Sequence, residues 1–189
     1  MKSSVLVFLL CISSALAYVE VAMNCTDGWD WFKRSRGGWC MKVVLREKFS
    51  IYGLIQVFSE KINQGEAEAK CNEEGAVLAG VQNGDEVKWM AESLVKLVGK
   101  GNIWIGAKRS IPCRSVSGFT ALCTDLTSFY WTDASTTGFL GFKKWLVGEP
   151  TNWGLYQHCI VLSSTARLMD DVACNIKATG YVCGKVASF

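Results

Sequence analysis

The distribution of apolar positions along the 189-residue chain changes period several times, and each change marks an element. Two stretches carry a helical repeat behind the same start signal. In "NQGEAEAKCNEEG", Asn63 is an N-cap with Glu66 three residues on, Ala67 and Cys71 share a face, and Gly75 stops the helix. In "NGDEVKWMAESLVKLVG", Asn83 and Glu86 repeat the device, and Val87, Met90, Ala91, Leu94 and Leu97 form an apolar stripe that ends at Gly99. Short strand-like runs surround these helices at 39–44, 76–81, 102–107, 128–131, 158–162 and 181–186. The pattern predicts an α+β domain of two helices with short antiparallel sheets.

Between residues 131 and 158 the periodicity lapses, yet Trp131, Phe139, Phe142, Trp145 and Trp153 fall there. A long irregular segment this rich in aromatics is expected to be an ordered loop region rather than a disordered one. Residues 45–62 separate the first strand from the first helix by more than a hairpin needs. They read either as an insertion with a strand-like run at Ile51–Phe58 or as a gene-model error such as a translated intron.

At the start, Lys2 precedes an apolar run from Val5 to Leu16 that closes on "ALA". This reads as a signal peptide over residues 1–17, cleaved before Tyr18, and implies a secreted, extracellular protein. No apolar stretch is long enough to span a bilayer, so no membrane partner is expected. The formal charge is +3 and the basic residues are scattered. Only Lys33-Arg34-Ser35-Arg36 cluster, which reads as a solvated loop, and nucleic acid is not an expected partner. Eight cysteines follow Cys11, an even number that predicts four disulfides in an oxidising compartment, with roughly a hundred pairings open. A zinc site is disfavoured by the absence of any C-x-x-C pair and by a single histidine, His158. That histidine has no second histidine to work with, and no free cysteine remains if all eight pair, so no enzyme is expected. Asn24-Cys25-Thr26 is the one N-x-[ST] sequon and makes Asn24 the candidate N-glycosylation site.

The ordered motifs "GWC" (38–40), "GEAEAKC" (65–71), "GAVLAGVQN" (75–83), "IWIGA" (103–107), "FYWTDAS" (129–135), "KWLVGEPTN" (144–152), "MDDVAC" (169–174) and "YVCGK" (181–185) resemble the C-type lectin-like domain, long form, from about Cys25 to Lys185. The resemblance implies the pairs Cys71–Cys183, Cys159–Cys174 and Cys25–Cys40, which leaves Cys113 and Cys123 to pair with each other. It also implies a Ca²⁺ site on the long loop that serves glycan binding. In sugar-binding members a Glu-Pro-Asn or Gln-Pro-Asp loop, a later Glu and a Trp-Asn-Asp triplet hold one Ca²⁺, a hard cation that takes six to eight oxygens. Here Glu149 and Pro150 keep their places. Thr151 stands for Asn, Gln157 for Glu, and Met169-Asp170-Asp171 for the triplet. The acid count is unchanged, so Glu149, Gln157, Asp170 and Asp171 are the expected calcium ligands, with Pro150 cis.

The expected carbohydrate contacts are Glu149, Thr151, Trp153, Gln157 and Asp170, with Trp153 either stacking on a sugar or packing the loop. Ionised Asp170 only accepts hydrogen bonds and Thr151 has one hydroxyl, so donors to a sugar are fewer than in the family pattern. Two functions follow. One is a secreted, calcium-dependent carbohydrate-binding module that recognises microbial or host glycans, as in innate immunity. The other is the same fold with a lapsed sugar site, binding a protein ligand or serving structurally.

Overall fold

The computed structural model describes residues 24–45 and 61–188. The signal-peptide reading and most of the 45–62 segment, Ile51–Phe58 included, lie outside the described residues. Within them the order is β1 (Asp30–Arg34), β2 (Gly37–Leu45), α1 (Gln64–Glu73), β3 (Val77–Leu78), α2 (Gly84–Val98), β4 (Asn102–Arg109), β5 (Phe129–Trp131), β6 (Cys159–Ser163), β7 (Met169–Val172) and β8 (Gly180–Val186). The strands run in the order β1-β2-β8-β4-β6-β7, with β3 beside β8 and β5 beside β4. Every pairing is antiparallel except β4 with β8, which is parallel through Ile103 and Trp104. The expected α+β, disulfide-stapled C-type lectin-like architecture is therefore present, although the short sheets join into one.

The alternation in "NIWIGA" explains how this sheet holds two cores. Ile103, Ile105 and Ala107 project to one face with Val87, Met90 and Leu94 of α2, together with Phe142 and Trp145 of the long loop. Trp104 projects to the other face with Ala67 and Cys71 of α1, Ile62, Val161 and Tyr181. Gly106 sits between them because the backbone of β3 crosses directly above it. A Cβ there would lie 2.0 Å from the Leu78 carbonyl oxygen.

Both helices start at the predicted asparagines, with one difference. Asn63 and Glu66 close a reciprocal box, with Oδ1 accepting from Glu66 N at 2.9 Å and Glu66 Oε2 from Asn63 N at 3.1 Å. Asn83 likewise accepts from Asp85 N and Glu86 N. The Glu86 carboxylate, however, accepts from Gln82 N at 2.8 Å and from the Arg34 guanidinium at 2.7 and 2.9 Å. Arg34 is therefore not part of a solvated loop. It is buried, bonded also to Asp133 at 2.8 Å and to the Gly80 carbonyl at 3.0 Å. That network explains a second difference. The 76–81 run forms only two strand residues, because Gly80 gives its N–H to Asp133 and its C=O to Arg34. Leu97, expected on the buried stripe of α2, is instead 54% exposed in the last turn.

All four expected disulfides are formed, the three implied by the resemblance and the remaining Cys113–Cys123. Closure of the 112-residue span between Cys71 and Cys183 removes the most chain entropy, on the order of 4–5 kcal/mol. The 131–158 region is ordered around a parallel stack of Trp131 on Phe142, with ring centroids 4.0 Å apart. Phe139 and Trp153 remain outside this packing, both more than half exposed.

Candidate functional site

The site is built where the long loop meets β6 and β7. The Glu149–Pro150 peptide is cis, as expected. Strand alternation then sorts the adjacent acids of β7. Asp171 points inward and is fully buried, while Asp170 is partly exposed. One carboxylate oxygen from each of Glu149, Asp170 and Asp171 lies within 4.8 Å of the others. Burial and the neighbouring Glu149 charge push Asp170 up to about 6. Burial and the shared hydrogen bond with Glu149 push Asp171 up to about 6 as well, against the pull of Arg109 and two backbone N–H groups.

Gln157 does something different from the expected ligand. Its Oε1 accepts from the Thr151 hydroxyl at 3.0 Å and from the Trp153 N–H. Its Nε2 donates to the Asp171 carbonyl oxygen at 2.7 Å. The amide thus bridges the two sides of the loop, at the cost of its own acceptor and of the Thr151 hydroxyl. Asp171 is equally engaged. It accepts from Thr151 N at 3.0 Å, from Asn152 N at 2.8 Å and from the Arg109 guanidinium. Arg109 also donates to the Gln157 carbonyl at 2.8 Å and lies 4.4 Å above the Phe129 ring.

Calcium takes six to eight hard oxygens. With Gln157, Thr151 and Asp171 committed to hydrogen bonds, and Glu149 Oε2 accepting from Thr151 N at 2.8 Å, Asp170 is the least encumbered donor. The residues present therefore fit the ion poorly as a full set, although three carboxylates do converge.

Two residues central to this arrangement were not singled out from the sequence. Arg109 lies just past the recognised "NIWIGA" run, and only the continuing strand length signalled it. Asn152 is fully buried in a left-handed conformation (φ 50°). Its Nδ2 donates to the carbonyls of Cys113, Arg114 and Val116 at 3.2, 3.0 and 2.7 Å, which fastens the long loop to the Cys113–Cys123 loop. Asparagine is among the few residues that adopt this backbone at low cost.

Trp153 is 68% exposed and meets Tyr156 edge-on at 5.6 Å. Beside Glu149 opens a groove of about 510 Å³ lined by Phe119, Thr124, Asp125, Lys143, Trp145 and Gly148 as well as Glu149 itself. It combines an aromatic wall with carboxylate acceptors and an ammonium donor. His158 has a buried Nε2 without a hydrogen-bond partner among the described residues. Burial and the Arg114 and Arg109 charges lower its pKa. Asn24 is exposed and bonds through its backbone N–H to Ser188.

Comparison with known proteins places this fold among its relatives. The family model for C-type lectin domain-containing protein 141/158 matches residues 32–186. C-type lectin domain-containing protein 158 of Caenorhabditis elegans is 24% identical over 186 residues, covering 85% of this chain and 82% of that one. Layilin of Mus musculus is 32% identical over 93 residues, and that match spans 49% of this chain but only 22% of layilin. Among solved structures, a calcium-independent type II antifreeze protein superposes with a TM-score of 0.59 at 20% identity, covering 89% of this chain and 99% of that one. The carbohydrate-recognition domain of cow CD23, solved with an oligosaccharide, also gives 0.59, at 17% identity and with coverage of 89% and 100%.

Proposed function

For a chain that belongs to the C-type lectin domain-containing protein 141/158 family, we propose a secreted, non-enzymatic recognition module that binds a carbohydrate through its long-loop face without needing an ion to shape that loop. One observation carries this reading. Gln157 joins Thr151 and Trp153 to the Asp171 backbone, and Arg109 neutralises the Asp171 carboxylate. Together they do by hydrogen bonding what a cation does for an all-carboxylate loop.

The ligand chemistry follows from the exposed groups. Trp153 offers a face to the apolar side of a sugar ring. The neighbouring groove adds Phe119 as a second aromatic, Asp125 and Glu149 as acceptors and Lys143 as a donor. A site this open suits weak monosaccharide binding, with Kd on the order of millimolar. A glycan array probed with calcium and again with chelator tests the proposal. Binding that survives the chelator is expected. Loss of all binding in chelator overturns the ion-free reading, and silence on both arrays moves the ligand to a protein or the domain to a structural role.

A second reading is favoured by the convergence of Glu149, Asp170 and Asp171, two of which have raised pKa values. Crowded, half-desolvated carboxylates gain from a divalent cation. In that reading calcium rests on these three acids alone and binds more weakly than the family pattern implies.

A further inference from the structure

The four disulfides differ in what surrounds their sulfurs. Cys71–Cys183 and Cys113–Cys123 have both cysteines buried, so an external thiol cannot reach them. Cys25–Cys40 and Cys159–Cys174 each pair one buried cysteine, Cys40 and Cys159, with one partly exposed. Each buried cysteine has a lysine as ladder partner, but Lys185 across from Cys40 lies over the Trp29 ring at 4.2 Å, whereas Lys108 across from Cys159 turns to the sulfur. Cys40 Sγ looks toward the Asn24 carbonyl oxygen at 3.9 Å, the negative end of a dipole. Cys159 Sγ lies 3.2 Å from the Lys108 ammonium. Lys108 also donates to Gln64 Oε1 at 2.6 Å and stands 4.0 Å from Cys174 Sγ. Burial lowers its pKa, with Glu68 opposing that effect.

Thiol–disulfide exchange is faster when the leaving sulfur is the more stable thiolate, and a cation beside a sulfur stabilises its thiolate. We propose that Cys159–Cys174 is a thiol-exchange site, opened by an external dithiol that attacks Cys174 and expels Cys159 as a thiolate held by Lys108. In the first step a dithiol thiolate bonds to Cys174 Sγ, the Cys174–Cys159 bond breaks, and its electron pair leaves on Cys159. In the second, the other dithiol sulfur, having lost its proton, attacks its partner sulfur in the mixed disulfide and releases the Cys174 thiolate. The dithiol becomes a disulfide, and the protein takes up two electrons and, on protonation, two protons. The bridge ties the start of β6 to the segment that follows β7, so its opening removes the covalent clamp on the strand that carries Asp170 and Asp171.

Limiting dithiothreitol at pH 7, followed by alkylation and peptide mass spectrometry, tests the site on the oxidised protein. Cys159 and Cys174 should be labelled before the other six bridged cysteines. Lys108→Met should slow their opening about three- to tenfold, as expected when a thiolate loses a nearby cation, while Lys108→Arg keeps the rate. Prior opening of Cys25–Cys40, or an unchanged rate in Lys108→Met, overturns the proposal. If the Met variant does not fold, Lys108→Gln replaces it, and the order of opening in the unaltered protein decides by itself.

Discussion

The Arg109 guanidinium donates to the Asp171 carboxylate where both side chains are almost wholly buried, at the point where β4, β7 and the long loop meet. A buried pair of this kind is expensive to break from one side, because the remaining charge stays desolvated. Arg109→Met is expected to destabilise the domain by roughly 3–5 kcal/mol, read by denaturant unfolding in chelator. Added calcium should restore part of that loss, since the freed Asp171 then rejoins Glu149 and Asp170. A variant as stable as the parent would remove the ion pair from its role in the loop.

Gln157→Glu returns an acid to the position where the resemblance places one. It loses the Nε2 donor to the Asp171 carbonyl and adds negative charge to a site that already crowds three carboxylates. We expect lower stability in chelator and a clear gain in terbium emission sensitised by Trp153. The parent should give weak emission or none. Strong parental emission that Asp171→Ala abolishes would instead favour the calcium reading.

The acids of the site and Asp133, which pairs with Arg34, respond to pH in opposite directions. Asp170 and Asp171 have folded values near 6, above the ordinary 3.8, so the folded state binds their protons more tightly. The stability they contribute is present below about 3.8 and is lost as pH rises through about 6. In chelator the protein should therefore melt higher at pH 5 than at pH 7.5, and Asp170→Asn should flatten that difference. Burial alone would raise Asp133, but hydrogen bonds from Thr136 and Arg34 outweigh it and hold the carboxyl below 3.8. Its contribution is present above that value and is lost as pH falls through the depressed one. Asp133→Asn should remove this acid-side transition in a melting series.

Asn152→Ala loses the two Nδ2 hydrogens shared among the carbonyls of Cys113, Arg114 and Val116, loses the Oδ1 that accepts from Gln157 N, and forces a left-handed backbone on alanine. At about 1 kcal/mol per hydrogen bond and 1–2 kcal/mol for the backbone, a loss of roughly 3–5 kcal/mol is expected. Asn152→Gly, which relieves the backbone term alone, should lose less. Equal losses would show that the conformation contributes nothing.

Asn24 is exposed beside the Cys25–Cys40 bridge, and we expect it to carry the sole N-glycan in a secretory host. A mass shift on glycosidase treatment that persists in Asn24→Gln would place the glycan elsewhere.

Local signals carried much of this architecture. Asn63, Asn83, Gly75 and Gly99 start and stop helices through contacts within a few residues, so both helices were legible. The short apolar runs "NIWIGA" and "YVCGKV" marked two strands, which the fold then buries on both faces, and the even cysteine count marked a stapled domain. The motif order, compared with the family, supplied the pairing and the cis Glu149–Pro150 peptide.

The partners of side chains were another matter. Arg34 sits in the stretch Lys33-Arg34-Ser35-Arg36, and nothing within it points to Glu86 and Asp133, 52 and 99 positions away. Arg109 meets Asp171 only because β4 and β7 flank β6. Gln157 could supply an oxygen to a cation or bind its own loop, and composition is the same in both cases. Chain-local physics sets dihedrals, caps and alternation, and those are readable residue by residue. Which donor meets which acceptor depends on the closed sheet and the folded loop, where desolvation makes each buried charge take the partner that long-range packing has brought within reach.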